Sequence, residues 1–169
     1  MGKGVLVTGA GGYIGTLLVP LLLQKKYKVV ALDRFYFGKD YFSKIKNKNF
    51  KIVQKDIRDV TKKDFENIDT VIDLAALSND PSCELDINLT KEINFLGRIN
   101  CAKVAKKSGV KKYIFSSTCS VYGDTKSQVL SEKSRTNPIS EYAKSSLKVE
   151  KKLLEDLCDN KFIVSIIRN

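Results

Sequence analysis

The chain has 169 residues and a formal net charge of +11, and its 43% hydrophobic and 29% charged residues are typical of one folded domain rather than a disordered protein. It contains no histidine, which excludes Ser-His-Asp and Cys-His catalysis and histidine-ligated metal sites, so we predict no metal. No apolar run approaches the roughly 18 residues of a membrane-spanning helix, and the first residues lack a signal peptide's apolar core, so we expect a cytoplasmic protein without a membrane partner.

Strands and helices alternate along the first half of the chain. The apolar run 5–7 ends in a glycine-rich turn and predicts a buried parallel strand. Residues 14–24 have helical apolar spacing, in which Pro20 can introduce a kink. The other predicted elements here are a second strand at 28–32, an irregular stretch with one helical turn at most at 35–49, a third strand at 50–54, a short helix capped by Thr61 at 61–65, and a fourth strand at 69–74.

The same alternation continues to the last residues. The predicted elements are a loop at 79–81, a long helix at 86–108 ended by Gly109, a fifth strand at 112–116, a loop-rich stretch at 117–138, a second long helix at 140–159, and a sixth strand at 162–167. This order predicts an α/β fold, a doubly wound parallel sheet (Rossmann fold) with helices on both faces. Residues 1–169 then form a single domain, without a separate substrate domain.

The glycine-rich turn carries the strongest functional signal. Gly9, Gly12 and Gly15 follow the first strand and open the first helix, which is the context that a dinucleotide-binding loop requires. Gly9 permits the tight turn, Gly12 lets the backbone approach a pyrophosphate, and Gly15 lets the helix pack close to the strand. The N-terminus of that helix, at Tyr13 and Ile14, then faces the phosphates with unpaired N–H groups.

The end of the second strand indicates which dinucleotide is bound. Asp33 lies eighteen residues after Gly15, where a carboxylate accepts hydrogen bonds from the adenosine ribose and repels the 2′-phosphate of NADP. Arg34 follows and could instead pair with that phosphate. We favour NAD as the cofactor.

Several further segments, in order, resemble the extended short-chain dehydrogenase/reductase superfamily, and within it the NAD-dependent epimerase/dehydratase family that acts on nucleotide sugars. They are Thr8-Gly9-Ala10-Gly11-Gly12-Tyr13-Ile14-Gly15, Asp56-Ile57 as an adenine-contacting pair, Leu74-Ala75-Ala76 beneath the cofactor, Asn94 in the next helix, the stretch from Phe115 through Ser116 and Thr118 to Gly123, and Ser140 to Ser145 with Tyr142. The resulting candidate cofactor-binding residues are Gly9, Gly12, Tyr13, Ile14, Gly15, Asp33, Arg34, Asp56, Ile57, Leu74, Ala75, Ala76, Asn94, Ser116 and Tyr142.

The resemblance implies Thr118 and Tyr142 as the catalytic residues. In the family a tyrosine takes a proton from a sugar hydroxyl while hydride passes to NAD, and the Ser/Thr hydroxyl binds the reacting oxygen. Because the reference pKa of tyrosine is about 10, the family supplies a lysine one helical turn later. Here Ser146 stands at that position, and Lys144 and Lys148 point about 200° and 240° away from the tyrosine around the helix. We therefore expect impaired tyrosine activation unless a cation comes from elsewhere, with Arg168 as one candidate.

Three functions remain open. The first is an NAD-dependent nucleotide-sugar epimerase or dehydratase, represented by its cofactor-binding portion, because family members continue into a C-terminal substrate domain. The second is a non-catalytic NAD-binding sensor or scaffold module derived from the family. The third is nucleic-acid binding, indicated only by the charge of +11, and we do not expect it because the lysines are scattered.

The cysteines and the two long helices each lead to one further expectation. Cys83, Cys101, Cys119 and Cys158 form no C-x-x-C pair, so we predict free buried thiols rather than a disulfide framework. The resemblance also implies a possible homodimer through the helices 86–108 and 140–159, which family members commonly use as a four-helix contact.

Overall fold

A computed structural model describes residues 4–125 and 129–169 of the chain. Its strands are β1 (Gly4–Thr8), β2 (Lys28–Asp33), β3 (Phe50–Gln54), β4 (Thr70–Asp73), β5 (Lys112–Ser117) and β6 (Ile163–Arg168). They form one sheet in the order β3-β2-β1-β4-β5-β6, and every neighbouring pair is parallel. This order confirms the predicted doubly wound Rossmann sheet.

The helices connect these strands on both faces of the sheet. They are α1 (Tyr13–Gln24), α2 (Asp40–Ser43), α3 (Asp80–Leu85), α4 (Ile87–Lys91), α5 (Arg98–Lys107) and α6 (Glu141–Lys152). A π-helical segment, Glu92–Gly97, joins α4 to α5, and a second one, Leu153–Leu157, extends α6. Single 3-10 turns lie at Ile57–Asp59, Lys62–Phe65 and Cys119–Tyr122.

The sheet separates two apolar cores, and the alternation of side chains along β1 divides them. Leu6 points into the core shared with α5 and α6, whereas Val5 and Val7 point into the core shared with α1 and α2. All five residues of β1 are buried. The short apolar run at the start of the chain is therefore the central strand, as expected for a strand covered on both faces.

Local sequence signals explain most of the helix boundaries. Asp86 accepts the backbone N–H of Leu89 at 2.9 Å and begins the long helix, which runs to Lys107 before Gly109 takes a φ of +85°. The predicted helix at 86–108 is thus confirmed, and the one at 140–159 ends two residues early at Leu157. Helix α1 continues through Pro20.

The loop predicted at 79–81 is wrong in part, because Asp80 and Pro81 already belong to α3. The Asn79 side chain accepts the backbone N–H of Ser82 at 2.9 Å, and proline is well tolerated in a first helical turn. The loop-rich stretch predicted at 117–138 includes residues 126–128, which lie outside the described residues, and its start contains the turn Cys119–Tyr122.

All four cysteines are free, as predicted, but Cys119 and Cys158 are exposed, so the prediction that all are buried was wrong. Cys119 lies in the turn after β5, and Cys158 lies in the loop that follows the segment Leu153–Leu157. Among residues 4–125 and 129–169, no helix is both long and apolar enough to cross a bilayer.

Candidate functional site

The candidate site lies at the carboxyl ends of β1 and β4, where the strand order reverses direction. Thr8 and Asp73 are the paired last residues of these strands, and chain segments leaving them diverge to opposite faces of the sheet. Open α/β sheets bind ligands in the crevice at such a switch point. The glycine-rich turn after β1 and the loop after β4 form its two walls.

Two glycines of the turn are required by close backbone approach. Gly9 has a φ of +63°, and a Cβ there would lie 2.7 Å from the backbone nitrogen of Ala75. A Cβ on Gly15 would lie 2.5 Å from the carbonyl oxygen of Ala10. Both distances are far inside ordinary van der Waals contact, so the loop after β4 and the first turn of α1 pack directly on the glycine-rich turn.

Gly12 differs from these two positions. It is the N-cap residue of α1 and donates its N–H to the Gly9 carbonyl at 3.1 Å. A Cβ there would meet only that same carbonyl within 4 Å, at 3.2 Å. The following Tyr13 and Ile14 have 88% and 47% of their surface exposed. The N-terminus of α1 is therefore open on its outer side, where the positive end of a helix dipole favours an anionic group.

Asp33 is positioned by the turn that it faces. Its carboxylate accepts the backbone N–H of Gly11 at 3.0 Å and that of Phe35 at 2.6 Å, one on each oxygen. Each carboxylate oxygen has a further lone pair, so this aspartate can still accept hydroxyl groups. Asp33 thus lies beside the glycine-rich turn, as the sequence predicted.

A cleft of about 710 Å³ lies at the ends of β2 and β3 and begins at Arg34, the residue after Asp33. Asp56 forms its charged centre, binding Arg58 at 3.0 Å and Arg34 at 3.1 Å. Burial raises the pKa of Asp56, but hydrogen bonds from Arg58 and the charges of Arg58 and Arg34 together hold it below its usual value. Ile57 is buried in the core beneath. The cleft is lined by Arg34, Phe35, Tyr36, Gln54, Lys55, Asp56, Arg58 and Asp59.

The sequence also allowed Arg34 to pair with the 2′-phosphate of NADP. Its guanidinium instead pairs with Asp56 and lies 4.4 Å from the centre of the Tyr36 ring. A cation held by a carboxylate and an aromatic ring is a weaker site for a second anion. The geometry therefore favours the function predicted for Asp33 over the alternative for Arg34.

The loop after β4 is anchored from both sides. The Thr8 hydroxyl accepts the backbone N–H groups of Leu74 and Ala75 at 3.2 Å each. From the helix side, the Asn94 amide accepts the N–H of Leu77 at 2.8 Å and donates to its carbonyl at 3.0 Å. Asn94 is fully buried within the π-helical segment, so it fixes the loop that continues from Leu74, Ala75 and Ala76.

A buried polar network that the sequence analysis missed lies directly below this loop. The Thr8 hydroxyl donates to Asp73 at 2.7 Å, and the Tyr113 hydroxyl donates to its other oxygen at 2.8 Å. The Arg98 guanidinium, 2% exposed, lies 3.6 Å from the same carboxylate and 4.6 Å from the centre of the Phe115 ring. The available signal was spacing, since Arg98 follows the buried Asn94 by four residues and so shares its helix face.

The two candidate catalytic residues lie on elements that pack together. Thr118 is 8% exposed and caps the turn Cys119–Tyr122, where its hydroxyl accepts the backbone N–H of Ser120 at 3.1 Å. Helix α6, which carries Tyr142, packs against that turn. Burial raises the pKa of Tyr142, the positive charge of Arg98 opposes this rise, and Cys83, Asp80 and Cys119 add to it. Ser116 lies nearby, with its hydroxyl accepting the Asn169 side-chain amide at 2.7 Å.

Ser146 is buried one turn after Tyr142, and its hydroxyl has no hydrogen-bond partner among the described residues. The lysine at position 144 pairs with Glu141 at 3.0 Å. Arg168, considered as a substitute cation, binds Glu150 at 2.6 Å and Tyr122 at 2.9 Å. This pairing does not favour Arg168 as the cation for Tyr142, because the buried carboxylate of Glu150 holds its guanidinium.

Comparisons with known proteins agree with this geometry. The model of a family described as "NAD dependent epimerase/dehydratase family" matches residues 5–166. A putative UDP-glucose 4-epimerase of Methanocaldococcus jannaschii is 32% identical over 150 residues, which are 83% of this chain and 47% of the relative. The chain thus spans about half the length of the curated relatives it matches.

Two solved structures are similar over nearly the whole chain. A UDP-N-acetylglucosamine 4-epimerase from Methanobrevibacter ruminantium, in complex with UDP-N-acetylmuramic acid, has a TM-score of 0.91 and 28% identity, covering 99% of this chain and 54% of that one. A UDP-glucuronic acid 4-epimerase from Bacillus cereus, in complex with UDP-glucuronic acid and NAD, has a TM-score of 0.89 and 28% identity, covering 98% and 55%.

Proposed function

This chain belongs to the NAD-dependent epimerase/dehydratase family, and on that premise we propose that it is the NAD-binding portion of a nucleotide-sugar epimerase or dehydratase. The observation that carries the proposal is the glycine-rich turn. A Cβ would lie 2.7 Å from neighbouring backbone at Gly9 and 2.5 Å at Gly15, whereas at Gly12 it would meet only the Gly9 carbonyl, at 3.2 Å. A turn built in this way leaves the N-terminus of α1 free to receive a pyrophosphate.

The remaining cofactor contacts follow from the position of that turn. Asp33 accepts the adenosine ribose hydroxyls with the lone pairs that Gly11 and Phe35 leave free. The cleft at Asp56, with Ile57 buried beneath it, would hold the adenine. The loop at Leu74, Ala75 and Ala76, together with Ser116 and Tyr142, would hold the nicotinamide end. Tyr13 and Ile14 flank the phosphates, and Arg34 and Asn94 hold the surrounding segments.

The proposed chemistry is proton transfer by Tyr142 on a sugar hydroxyl held by Thr118. When bound, NAD supplies the hydride acceptor. Tyr142 must lose its proton to act as the base, and burial makes this harder by raising its pKa. Thr118 lies on the adjoining turn, where its hydroxyl accepts the Ser120 N–H and donates to the Ser120 hydroxyl at 3.2 Å. With substrate bound, this donor would turn to the developing oxyanion. Relatives in the comparisons act on UDP-sugars, and this class is the proposed substrate.

A second candidate function is favoured by one observation. Ser146 carries no charge where the family resemblance calls for a lysine, and the pKa of Tyr142 is raised by burial. A protein with an intact cofactor loop and a weak base fits a non-catalytic NAD-binding sensor or scaffold.

Assembly and location are further parts of the proposal. Leu89, Leu96 and Leu154 expose 36%, 58% and 49% of their surface on the long helices, and a homodimer through residues 86–108 and 140–159 would cover them. Sedimentation velocity on wild type and Leu96→Lys tests this, since the substitution should favour the monomer. A cytoplasmic location is proposed together with this function.

Turnover decides between the two candidate functions. The protein is incubated with NAD and a panel of UDP-, GDP- and dTDP-sugars, alongside Tyr142→Phe and Ser146→Lys. An epimerase or dehydratase converts one of these sugars, and Tyr142→Phe abolishes the conversion. Binding of NAD without conversion, combined with activity in Ser146→Lys, favours the sensor. Conversion that survives Tyr142→Phe refutes the proposed base.

A further inference from the structure

Phe35 has a backbone conformation that the site described above does not explain. Its φ is +57°, in the left-handed region that a residue as bulky as phenylalanine rarely adopts. It follows Asp33 by two positions and is only 6% exposed. Such a conformation persists only where surrounding contacts enforce it, and it is found preferentially at functional sites. The contacts of the Phe35 ring and of its backbone N–H therefore indicate what the strain achieves.

The ring of Phe35 is held in the core. It packs edge-on against Phe42, with ring centroids 6.2 Å apart and ring planes at 88°, and it belongs to the core shared with α1. The ammonium group of Lys39 lies 5.8 Å from the centre of the same ring. The Phe35 carbonyl accepts the N–H of Gly38 at 3.0 Å, so the chain that follows is fixed as well.

The backbone N–H of Phe35 is bound at the same time to the cofactor site. It donates to one carboxylate oxygen of Asp33 at 2.6 Å. Rotation about the bond between N and Cα decides where the ring points relative to this N–H. With φ at +57°, the ring lies in the core while the N–H stays on Asp33. The packing of the ring thereby holds the N–H on the carboxylate.

Gly11 completes this arrangement from the glycine-rich turn. Its N–H donates to the other oxygen of Asp33 at 3.0 Å. A Cβ at Gly11 would lie 2.8 Å from Cδ1 of the Phe35 ring and 3.3 Å from Cγ of Asp33. The φ of Gly11 is not positive, so glycine is needed here for space and not for its backbone conformation. The ring therefore lies directly against the residue that binds the second carboxylate oxygen.

We propose that Phe35 is a positioning residue that sets the preference for NAD over NADP by acting through Asp33. Its ring, seated against Gly11, keeps each oxygen of the carboxylate on a backbone N–H, so the carboxylate has one orientation beside the turn. A carboxylate fixed there accepts the ribose hydroxyls and repels a 2′-phosphate, whereas one that can rotate is able to turn away from the phosphate. The ligand in this inference rests on the proposed function, but the locking of Asp33 is a property of the protein without ligand.

Calorimetric titration of Phe35 variants with NAD and with NADP tests the proposal. Phe35→Ala removes the ring and leaves a residue for which positive φ is unfavourable. The ratio of the NADP Kd to the NAD Kd should then fall about three- to tenfold, the size of one lost hydrogen bond. Phe35→Gly removes the same ring but adopts positive φ freely, so its ratio should fall less. A merely structural residue would weaken both dinucleotides alike and leave the ratio unchanged.

Two further variants keep the titration interpretable. Phe162 is 1% exposed in the core on the other face of the sheet, so Phe162→Leu should lower Tm and leave the ratio unchanged. Where Phe35→Ala fails to fold, as judged by circular dichroism, Phe35→Leu keeps a buried apolar side chain without the flat ring and should still lower the ratio. An unchanged ratio in folded Phe35→Ala or Phe35→Leu overturns the proposal.

Amide hydrogen exchange, measured by NMR without ligand, tests the locking of Asp33 separately. Phe35→Ala should speed exchange at the amides of residues 11 and 35 about tenfold, toward the rates in Asp33→Ala, because each loses a fixed acceptor. Gly11→Ala should also lower Tm less in the Phe35→Ala background than alone, because the ring that its Cβ meets is gone. Unchanged exchange at both amides overturns the inference. A chain that binds neither dinucleotide but shows these exchange rates refutes the proposed function and leaves the locking of Asp33 established.

Discussion

Replacing Gly15 by alanine tests whether α1 approaches the glycine-rich turn as closely as the structure has it. The new Cβ would lie 2.5 Å from the Ala10 carbonyl oxygen and 2.6 Å from that of Gly9, about 0.9 Å inside the 3.4 Å of ordinary contact. Both atoms belong to the backbone, so the helix itself must move. Overpacking of this kind costs about 1–3 kcal/mol, which for a chain of this length lowers Tm by about 2–12 °C.

The assay is thermal unfolding with and without NAD, and Gly12→Ala is the matched variant. A Cβ at Gly12 meets only the Gly9 carbonyl, at 3.2 Å, so its stability loss should stay below about 1 kcal/mol. The added methyl group of Gly12→Ala would occupy the space expected for the pyrophosphate, so NAD affinity should fall at least about tenfold, or 1.4 kcal/mol. A Gly15→Ala protein that melts like wild type refutes the packing argument, and a Gly12→Ala protein with unchanged NAD affinity refutes the assigned phosphate position.

Three other substitutions address the remaining parts of the site. Asp33→Asn should weaken NAD binding and narrow the preference for NAD over NADP, measured by calorimetric titration, and an unchanged ratio would contradict the ribose contact. Asn94→Ala removes both side-chain hydrogen bonds to the part-buried backbone of Leu77 and leaves its N–H unpaired, so unfolding free energy should fall by about 1–3 kcal/mol in urea, whereas an unchanged midpoint contradicts the anchoring function. The folded pKa of Asp56 lies below its unfolded value of 3.8, so its pairing with Arg58 stabilises the fold above pH 3.8 and is lost as the pH falls through the folded pKa. The difference in Tm between wild type and Asp56→Asn should therefore be full at neutral pH and disappear in acid. A difference that persists in acid refutes the ion pair.

Much of the fold could be predicted because its signals are local. Strand segments such as 5–7 and 50–54 are short and bounded by turns, and the parallel order follows from their alternation with helices. The glycine positions could be predicted for the same reason, since Gly9 and Gly15 are needed by chain geometry within one βα unit. The start of α3 was missed because Asn79-Asp80-Pro81 is equally compatible with a turn and with a capped first helical turn.

The side-chain pairings of the site could not be predicted, because they join residues far apart in the chain. Arg34 binds Asp56 across 22 positions, and Arg168 binds Glu150 across 18. Which carboxylate holds which arginine depends on the sheet order and on the helix faces, and no local pattern encodes it. Arg98 was overlooked for a related reason, since an arginine in a lysine-rich helix is normally a surface residue.

The most direct test of the account is calorimetric titration of the wild-type chain with NAD and, separately, with NADP. We expect saturable binding of NAD with one site per chain, and weaker binding of NADP because the 2′-phosphate would meet Asp33 while Arg34 is held by Asp56. Absence of NAD binding, or tighter binding of NADP than of NAD, would contradict it.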